Sequence, residues 1–206
     1  YHALRHGAAW LDMSERGKIR ATGEDRVRLL HAMTTNHVEQ LEPGGGCYVF
    51  FLNAQGRILA DANLFVLPEY ILLDTEPDAR QRLMEHLDKF IIADDVTLED
   101  VTDQLATIAV GGPNGDDVVR KLGAPVSRSE CGIVEWGSRL VACVGNIGGA
   151  GLFVFVPTAE KETFIRELEQ SGVVATDLET FDVVRLEHHR PRFGVDFGDT
   201  WIPQET

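Results

Sequence analysis

The order of strand and helix patterns repeats along this chain, and the repeat limits the folds that it can adopt. Residues 17–23 alternate as a strand that ends at glycine, and an apolar stripe at helical spacing follows over residues 26–33. Strand patterns then form a hairpin over residues 57–74, before a second helix. Residues 106–112 begin the same order again, with a polar turn, a helix, a hairpin over residues 140–156 and a last helix. The chain therefore reads as two copies of a β-α-β-β-α theme.

Composition excludes several classes of function. The formal net charge of −14 argues against general binding to DNA, RNA or an anionic membrane, because phosphate contacts need a basic surface. No apolar stretch approaches the roughly twenty residues of a membrane span. Cys47, Cys131 and Cys143 are odd in number and lack Cys-x-x-Cys spacing, so we expect neither a disulfide framework nor a zinc ribbon. A reducing, cytoplasmic location is the expectation that follows.

A local reversal of charge occurs over residues 185–192, where three arginines and two histidines surround one acid, Glu187. A cationic rim around a carboxylate is suited to a flat, polar, anionic small molecule. The alternative is a surface helix end with arginines at its C-terminus, running into a loop.

Other segments that could bind ligands are assigned structural roles. Residues 145–151 are rich in glycine but precede a strand, so they predict a hairpin loop rather than a dinucleotide site. Residues 111–115 precede a helix yet lack the Lys and Ser/Thr of a P-loop. The acidic run over residues 94–103 lacks the spacing of an EF-hand, which favours a solvated strand face, and no metal site is predicted.

Several runs of residues together resemble the tetrahydrofolate-binding region of the glycine cleavage T-protein (aminomethyltransferase) superfamily. The runs are Thr34-Thr35-Asn36-His37-Val38-Glu39-Gln40-Leu41, Cys47-Tyr48-Val49-Phe50-Phe51-Leu52-Asn53-Ala54-Gln55-Gly56-Arg57-Ile58, Val110-Gly111-Gly112-Pro113, Arg185-Leu186-Glu187 and Pro191-Arg192-Phe193-Gly194. Within the superfamily, Ile202-Pro203-Gln204-Glu205 is most similar to the YgfZ-type branch of folate-binding proteins.

The resemblance implies a fold and a cofactor. The fold is α+β, with two interlocked pseudo-repeated subdomains and antiparallel sheets, and the cofactor is tetrahydrofolate. Residues 1–206 would form one folate-binding domain, with subdomains at roughly 1–50 plus 137–206 and at 51–136. The family's C-terminal β-barrel is expected to lie outside this chain.

The resemblance also implies roles for individual residues. Glu187 matches the carboxylate that reads the pterin ring, which suits an acceptor of two parallel hydrogen bonds. Arg185 matches an arginine that serves as a scaffold or charge partner. Asp61 matches the acid near the reacting folate nitrogen and is the expected catalytic residue. The remaining expected contacts of the folate are Tyr48, Val49, Phe65 and Asp74.

Two departures from the transferase pattern affect the functional hypotheses. Ala60-Asp61 stands where the transferases have paired aspartates, and residues 145–149 differ from their Gly-Tyr-Thr-Gly-Glu loop. The first hypothesis is therefore a YgfZ-like tetrahydrofolate-binding protein that serves iron–sulfur cluster assembly or repair, with iron–sulfur proteins as clients. The alternative is an aminomethyltransferase that uses a lipoylated carrier protein. A third possibility is a degenerate interaction domain that binds no folate.

Overall fold

A computed structural model of the protein describes residues 1–145 and 151–206, and it divides into two compact units. The first unit comprises residues 1–15 and 103–191, and the second comprises residues 16–102 and 192–206. Both units are discontinuous in sequence, whereas the sequence predicts one discontinuous subdomain, roughly 1–50 plus 137–206, and one continuous subdomain, 51–136. The pairing of the strands, described below, explains the difference.

The helices and strands follow the predicted order with additions. In chain order they are α1 (His2–His6), β1 (Ala9–Asp12), β2 (Gly17–Thr22), α2 (Arg26–Met33), β3 (Gly46–Leu52), β4 (Ile58–Val66), β5 (Ile71–Thr75), α3 (Arg80–Asp88), β6 (Thr97–Asp100), β7 (Leu105–Gly111), α4 (Gly115–Lys121), β8 (Ile133–Trp136), β9 (Arg139–Val144), β10 (Gly151–Pro157), α5 (Lys161–Gln170), β11 (Val174–Ala175) and α6 (Leu178–Glu187). The predicted hairpin loop over residues 145–151 falls mostly outside the described residues. None of the described helices is long and apolar enough to cross a membrane.

The second unit is built on an antiparallel sheet in the order β3-β4-β5-β2-β6. One face of the sheet is apolar because alternate strand residues such as Val49, Ala62 and Leu73 are buried there. The helices α2 and α3 cover this face, and they contribute Leu30 and Leu83 to the same core. The opposite face carries the polar residues described in the next subsection.

The first unit repeats this arrangement in a sheet of order β11-β1-β7-β10-β9-β8. Its pairings are antiparallel, except that β11 lies parallel to β1. Val119 of α4 and both Phe164 and Leu168 of α5 pack against strand residues such as Val154 in one core. The predicted α+β class with antiparallel sheets is confirmed.

Strand exchange links the two copies of the repeat. β1 precedes β2 in sequence but pairs with β7, and β6 precedes β7 but pairs with β2. The first strand of each copy therefore completes the sheet of the other copy. The order β3-β4-β5-β2-β6 then corresponds to β8-β9-β10-β7-β1, and this exchange makes both units discontinuous.

Two glycines mark equivalent positions in the copies. Gly23 follows β2 with φ +101°, and Gly112 follows β7 with φ +102°, a left-handed region that favours glycine. A Cβ atom on Gly23 would lie 2.0 Å from the Asp95 carbonyl oxygen, and one on Gly112 would lie 2.5 Å from the Gly7 carbonyl oxygen. Each glycine thus allows the segment before an exchanged strand to approach closely.

Candidate functional site

Four polar residues of the second unit share the sheet face that the helices leave uncovered. Tyr48 of β3 pairs with Asn63 of β4, and Asn63 pairs with Asp74 of β5. Asp61 lies two residues before Asn63 on the same strand, so its side chain is on the same face. The sequence-predicted residues Tyr48, Asp61 and Asp74 are therefore brought together.

Asp61 is a buried acid with one oxygen bonded and the other without a hydrogen-bond partner. Tyr48 Oη donates to Asp61 Oδ2 at 2.7 Å, while Oδ1 is buried and has no partner among the described residues. Burial raises the pKa of Asp61 from 3.8 to about 6, although the Tyr48 hydrogen bond and Arg16 act in the opposite direction. The carboxyl group can therefore gain or lose a proton near neutral pH.

A buried ion-pair network holds the neighbouring acid. Arg16 Nε donates to Asp74 Oδ1 at 2.9 Å, and Arg16 Nη2 donates to Asp74 Oδ2 at 2.9 Å. Asn63 Nδ2 donates to the same Oδ2 at 2.9 Å. Asp74 is fully buried, so these contacts satisfy a charge that would otherwise be costly. In this structure Asp74 is engaged by protein groups.

Glu76 joins two arginines in this network. Arg16 Nη1 donates to Glu76 Oε1, and Arg192 Nη2 donates to Glu76 Oε2 at 2.9 Å. Although burial favours the neutral acid, Arg16 and then Arg192 hold the pKa of Glu76 below its ordinary value. Sequence reasoning did not assign a site role to Arg16 or Glu76, and single charges beside Gly17 and Pro77 gave no signal of burial.

Lys18 is a further buried charge that sequence reasoning missed. It pairs with Asp74 across β2 and β5, and its side chain is fully buried. Burial lowers the pKa of its amine to about 8, while Asp74 acts in the opposite direction. Arg16, Lys18 and the acids thus form a dense set of charges beside Asp61.

The two predicted apolar contacts of the folate lie on opposite faces of the sheet. Phe65 is four residues after Asp61 on β4, so it shares the polar face, and it is fully buried. Val49 lies on the helix-covered face, where it packs in the core. The structure therefore groups Phe65 with Asp61 and does not group Val49 with it.

Glu187 and Arg185 lie at the end of α6 in the first unit. Glu187 is exposed, and its Oε1 accepts from Tyr1 Oη at 2.6 Å while its Oε2 accepts from Arg5 Nη1 at 2.9 Å. Arg185 is buried, and it forms an ion pair with Asp182 at 2.6 Å. Arg185 Nη1 also donates to the Arg190 carbonyl oxygen at 3.0 Å. These contacts are those of a scaffold residue.

The basic residues of the predicted cationic rim, residues 185–192, fall into two groups: those in ion pairs with acids of the protein and those that are exposed. Arg185 is paired with Asp182, and Arg192 is paired with Glu76 in the second unit. Arg190, His188 and His189 are exposed. The basic character available to a ligand in this segment therefore comes from those exposed residues.

Comparison with models of known protein families identifies the family of this chain. A family model described as GCVT N-terminal domain matches residues 1–206. The chain belongs to this family. The resemblance to the glycine cleavage T-protein superfamily is thereby confirmed, and the match covers both units described above.

Comparisons with individual proteins agree with the family. The chain is 28% identical over 197 residues to a putative chloroplastic transferase of Arabidopsis thaliana, covering 92% of this chain and 45% of that relative. It is 28% identical over 211 residues to an aminomethyltransferase of Deinococcus deserti, covering 98% and 59%. The crystal structure of the glycine cleavage system aminomethyltransferase T from Bartonella henselae has the same fold, with a TM-score of 0.89 at 22% identity over 97% of this chain and 56% of that one. The chain thus spans about half the length of the relatives that it matches.

Proposed function

We propose that this chain binds tetrahydrofolate and supports aminomethyl transfer to it. The observation that carries the proposal is the Asp61 carboxyl group. It is buried, it is bonded to Tyr48 through one oxygen, and its other oxygen has no partner in the described part of the chain. A buried hydrogen-bond acceptor without a partner costs free energy, and a bound ligand can supply the missing donor. An N–H group of a bound folate is the proposed partner.

Asp61 has the chemistry that this transfer requires. In the reaction that the family resemblance implies, a folate amine attacks the methylene carbon of an aminomethyl group held on a lipoyl sulfur. As the new carbon–nitrogen bond forms, the bond from the methylene carbon to the amino nitrogen breaks, ammonia leaves, and the attacking nitrogen loses its proton. A carboxylate with a pKa of about 6 can orient that N–H group and accept its proton near neutral pH.

Glu187 is the proposed reader of the pterin ring. Each carboxylate oxygen has two acceptor positions, and Tyr1 and Arg5 occupy one on each. One position on each oxygen is left for the 2-amino and ring N–H groups of a pterin. Glu187 is partly exposed, with 34% of its side chain accessible, so a ligand can reach it.

Ala60 stands where the transferases have the first of two paired aspartates, and its position in the fold removes this argument against aminomethyl transfer. Ala60 lies on the helix-covered face and is fully buried in the core. Strand alternation directs residues 60 and 61 to opposite faces. The alanine at position 60 therefore does not deprive Asp61 of a neighbouring acid on its own face.

The relatives that are named aminomethyltransferases support transfer over a role in iron–sulfur cluster assembly. The iron–sulfur role is the second candidate, and the run Ile202-Pro203-Gln204-Glu205 supports it. A lipoylated carrier protein is the partner that aminomethyl transfer requires, whereas the second candidate requires iron–sulfur protein clients. A cytoplasmic location remains part of the proposal for both.

Titration of the protein with tetrahydrofolate tests binding. Glu187→Gln keeps the shape of the side chain but removes its charge, and a hydrogen bond to a charged group contributes about 1.5–3 kcal/mol, so we expect affinity to fall by about tenfold to a hundredfold. Glu179→Gln is the matched control, because Glu179 is an exposed acid on the same helix. If the wild-type protein shows no saturable binding, the degenerate interaction domain is the correct interpretation.

A glycine-cleavage assay with lipoylated carrier protein tests transfer. Asp61→Asn retains an acceptor for Tyr48 but cannot take up a proton. Because the amide that keeps its oxygen towards Tyr48 has an NH2 donor in place of Oδ1, we expect folate affinity to fall and kcat to fall by about a hundredfold or more. A wild-type protein that binds folate but produces no ammonia from the aminomethyl carrier would refute transfer and leave the second candidate.

A further inference from the structure

The edge strand β6 of the second unit has backbone groups that are available for pairing. β6 lies at the end of the sheet order and pairs with β2 alone. Val101 N donates to the Lys18 carbonyl oxygen at 2.9 Å. Because every second residue of an antiparallel strand bonds to the same neighbour, the backbone groups of Thr97 and Glu99 also point towards β2. Leu98 and Asp100 therefore direct their N–H and C=O groups away from β2. Within residues 1–145 and 151–206, these outward groups meet no backbone partner.

A groove lies beside this edge. It has a volume of about 410 Å³ and is lined by the end of α3 and by the chain that enters β6. Its apolar lining comes from Met84, Ile91, Val96 and Leu98. Leu98 is on the helix side of β6, because it packs partly against the core that α3 covers. Every second side chain of a strand added to β6 would lie on the groove side.

The uncompensated charge at the groove is negative. Glu85 and Asp88 line it and are exposed, and neither forms an ion pair with a described residue. Asp100 nearby instead forms an ion pair with Arg80 at 3.4 Å. Lys89, the next cation along the chain, is exposed but does not line the groove. A ligand of the groove should therefore be basic.

We propose that β6 and this groove bind an extended, basic segment of a partner protein by strand addition. The backbone of the segment pairs with Leu98 and Asp100. On its helix side, apolar side chains occupy the groove and a lysine or arginine meets Glu85 and Asp88. An edge that stays open invites non-specific pairing, so a groove with defined shape and charge provides selectivity. This surface is independent of Asp61 and Glu187.

An acetylated peptide that repeats Val-Thr-Lys-Thr is the probe, because its valines and lysines then share the groove side of the added strand. Amide hydrogen exchange of the protein is measured by NMR with and without saturating peptide. We expect the amides of Leu98 and Asp100 to become protected. The peptide N-methylated at the alternate residues that face β6 should not bind, whereas methylation of the intervening residues should leave binding intact. Absence of protection at both amides, or equal binding of the two methylated peptides, would overturn strand addition.

Charge reversal tests the acidic lining. Glu85→Lys combined with Asp88→Lys should weaken peptide binding, measured by fluorescence anisotropy, by about tenfold or more. The matched control is Glu162→Lys combined with Glu169→Lys, which changes net charge equally on the exposed face of α5 and should alter binding less than about threefold. Circular dichroism confirms that both variants are folded. An equal effect of the two variants would show that the peptide responds only to overall charge and would refute the proposed groove.

Discussion

Replacement of Tyr48 by phenylalanine tests how the protein tunes the Asp61 carboxyl group. Tyr48 Oη donates to Asp61 Oδ2 at 2.7 Å, and this hydrogen bond lowers the pKa of Asp61 against the effect of burial. A hydrogen bond to a charged group contributes about 1.5–3 kcal/mol, and one pKa unit corresponds to about 1.4 kcal/mol. In Tyr48→Phe we therefore expect the pKa of Asp61 to rise from about 6 to about 7–8.

The same change predicts a pH-dependent loss of stability. The folded pKa of Asp61 lies above its ordinary value of 3.8, so the folded protein binds this proton more tightly than the unfolded chain. The resulting stabilisation is present below about pH 4 and is lost as the pH rises through about 6, at a cost of about 3 kcal/mol. In Tyr48→Phe the loss continues to about pH 8 and grows by about 1.5–3 kcal/mol.

Urea denaturation at about pH 4 and about pH 9 measures this difference. The destabilisation caused by Tyr48→Phe should be larger at the higher pH by about 1.5–3 kcal/mol. Carbon-13 NMR of the Asp61 carboxyl group gives its pKa directly. Tyr70→Phe is a control within the same unit, and an Asp61→Asn background should abolish the pH dependence of the Tyr48 effect. An unchanged or lower pKa of Asp61 in Tyr48→Phe would refute the reasoning.

Further predictions concern the turn, the N-terminus and the ion-pair network. Gly23→Ala should destabilise the protein by about 3 kcal/mol or more in urea denaturation, because the new Cβ would clash with the Asp95 carbonyl group. Gly56 also has positive φ but open space around it, so Gly56→Ala should cost about 1 kcal/mol. Equal losses in the two variants would contradict the close approach of residue 95 to Gly23. Arg5→Ala removes a hydrogen bond that orients the Glu187 carboxylate, so tetrahydrofolate should bind more weakly by calorimetry, and an unchanged or higher affinity would contradict that role. Asp74→Asn should cost about 3–5 kcal/mol in denaturation, because it removes one of the two acids that pair with the buried Arg16; a loss below about 1 kcal/mol would contradict that account.

Local elements of this fold could be predicted because local patterns specify them. The helix over residues 26–33 and the strand that begins at residue 17 match α2 and β2, since apolar periodicity and a closing glycine mark both. β1 and β8 were not predicted. Each has only four residues, and the pairing of β1 with β7 joins segments that are far apart in sequence, which periodicity does not record.

The candidate site was predictable only in part. Asp61, Tyr48 and Asp74 were expected from the family resemblance, and strand register brings them onto one face. Lys18 was not expected, because a lysine in an alternating strand is ordinarily exposed to solvent. Here it is fully buried opposite Asp74, a placement that depends on pairing between β2 and β5. Val49 was expected at the site but lies on the opposite face, because Val49 follows Tyr48 directly and consecutive strand residues point to opposite faces.

The first unit provides an internal comparison for the polar face of the second unit. Gly23 and Gly112 occupy equivalent positions, so matching them aligns β2 with β7. The pairing of the neighbouring strands with β2 and β7 then identifies the other equivalent residues. Gly17 pairs with Thr75 in one sheet, and Ala106 pairs with Val156 in the other. Asp74 therefore corresponds to Phe155.

The same registers relate the other members of the polar face to residues of the first unit. Lys18 corresponds to Thr107, and Asn63 corresponds to Leu140, because Leu140 pairs with Phe155 as Asn63 pairs with Asp74. One copy thus builds this face from Phe155, Leu140 and a buried threonine, with the same strand order. The fold does not require the buried charges.

Buried ion pairs seldom stabilise a protein more than well-packed apolar residues of similar volume. Since the first unit forms its sheet with apolar residues at two of these positions, stability alone does not explain why the second unit retains Asp74 and Lys18. The charge of Asp74 acts on Asp61 and raises its pKa, while Arg16, the ion-pair partner of Asp74, lowers it. The divergence of one copy from the other therefore favours a chemical role for the face that carries Asp61.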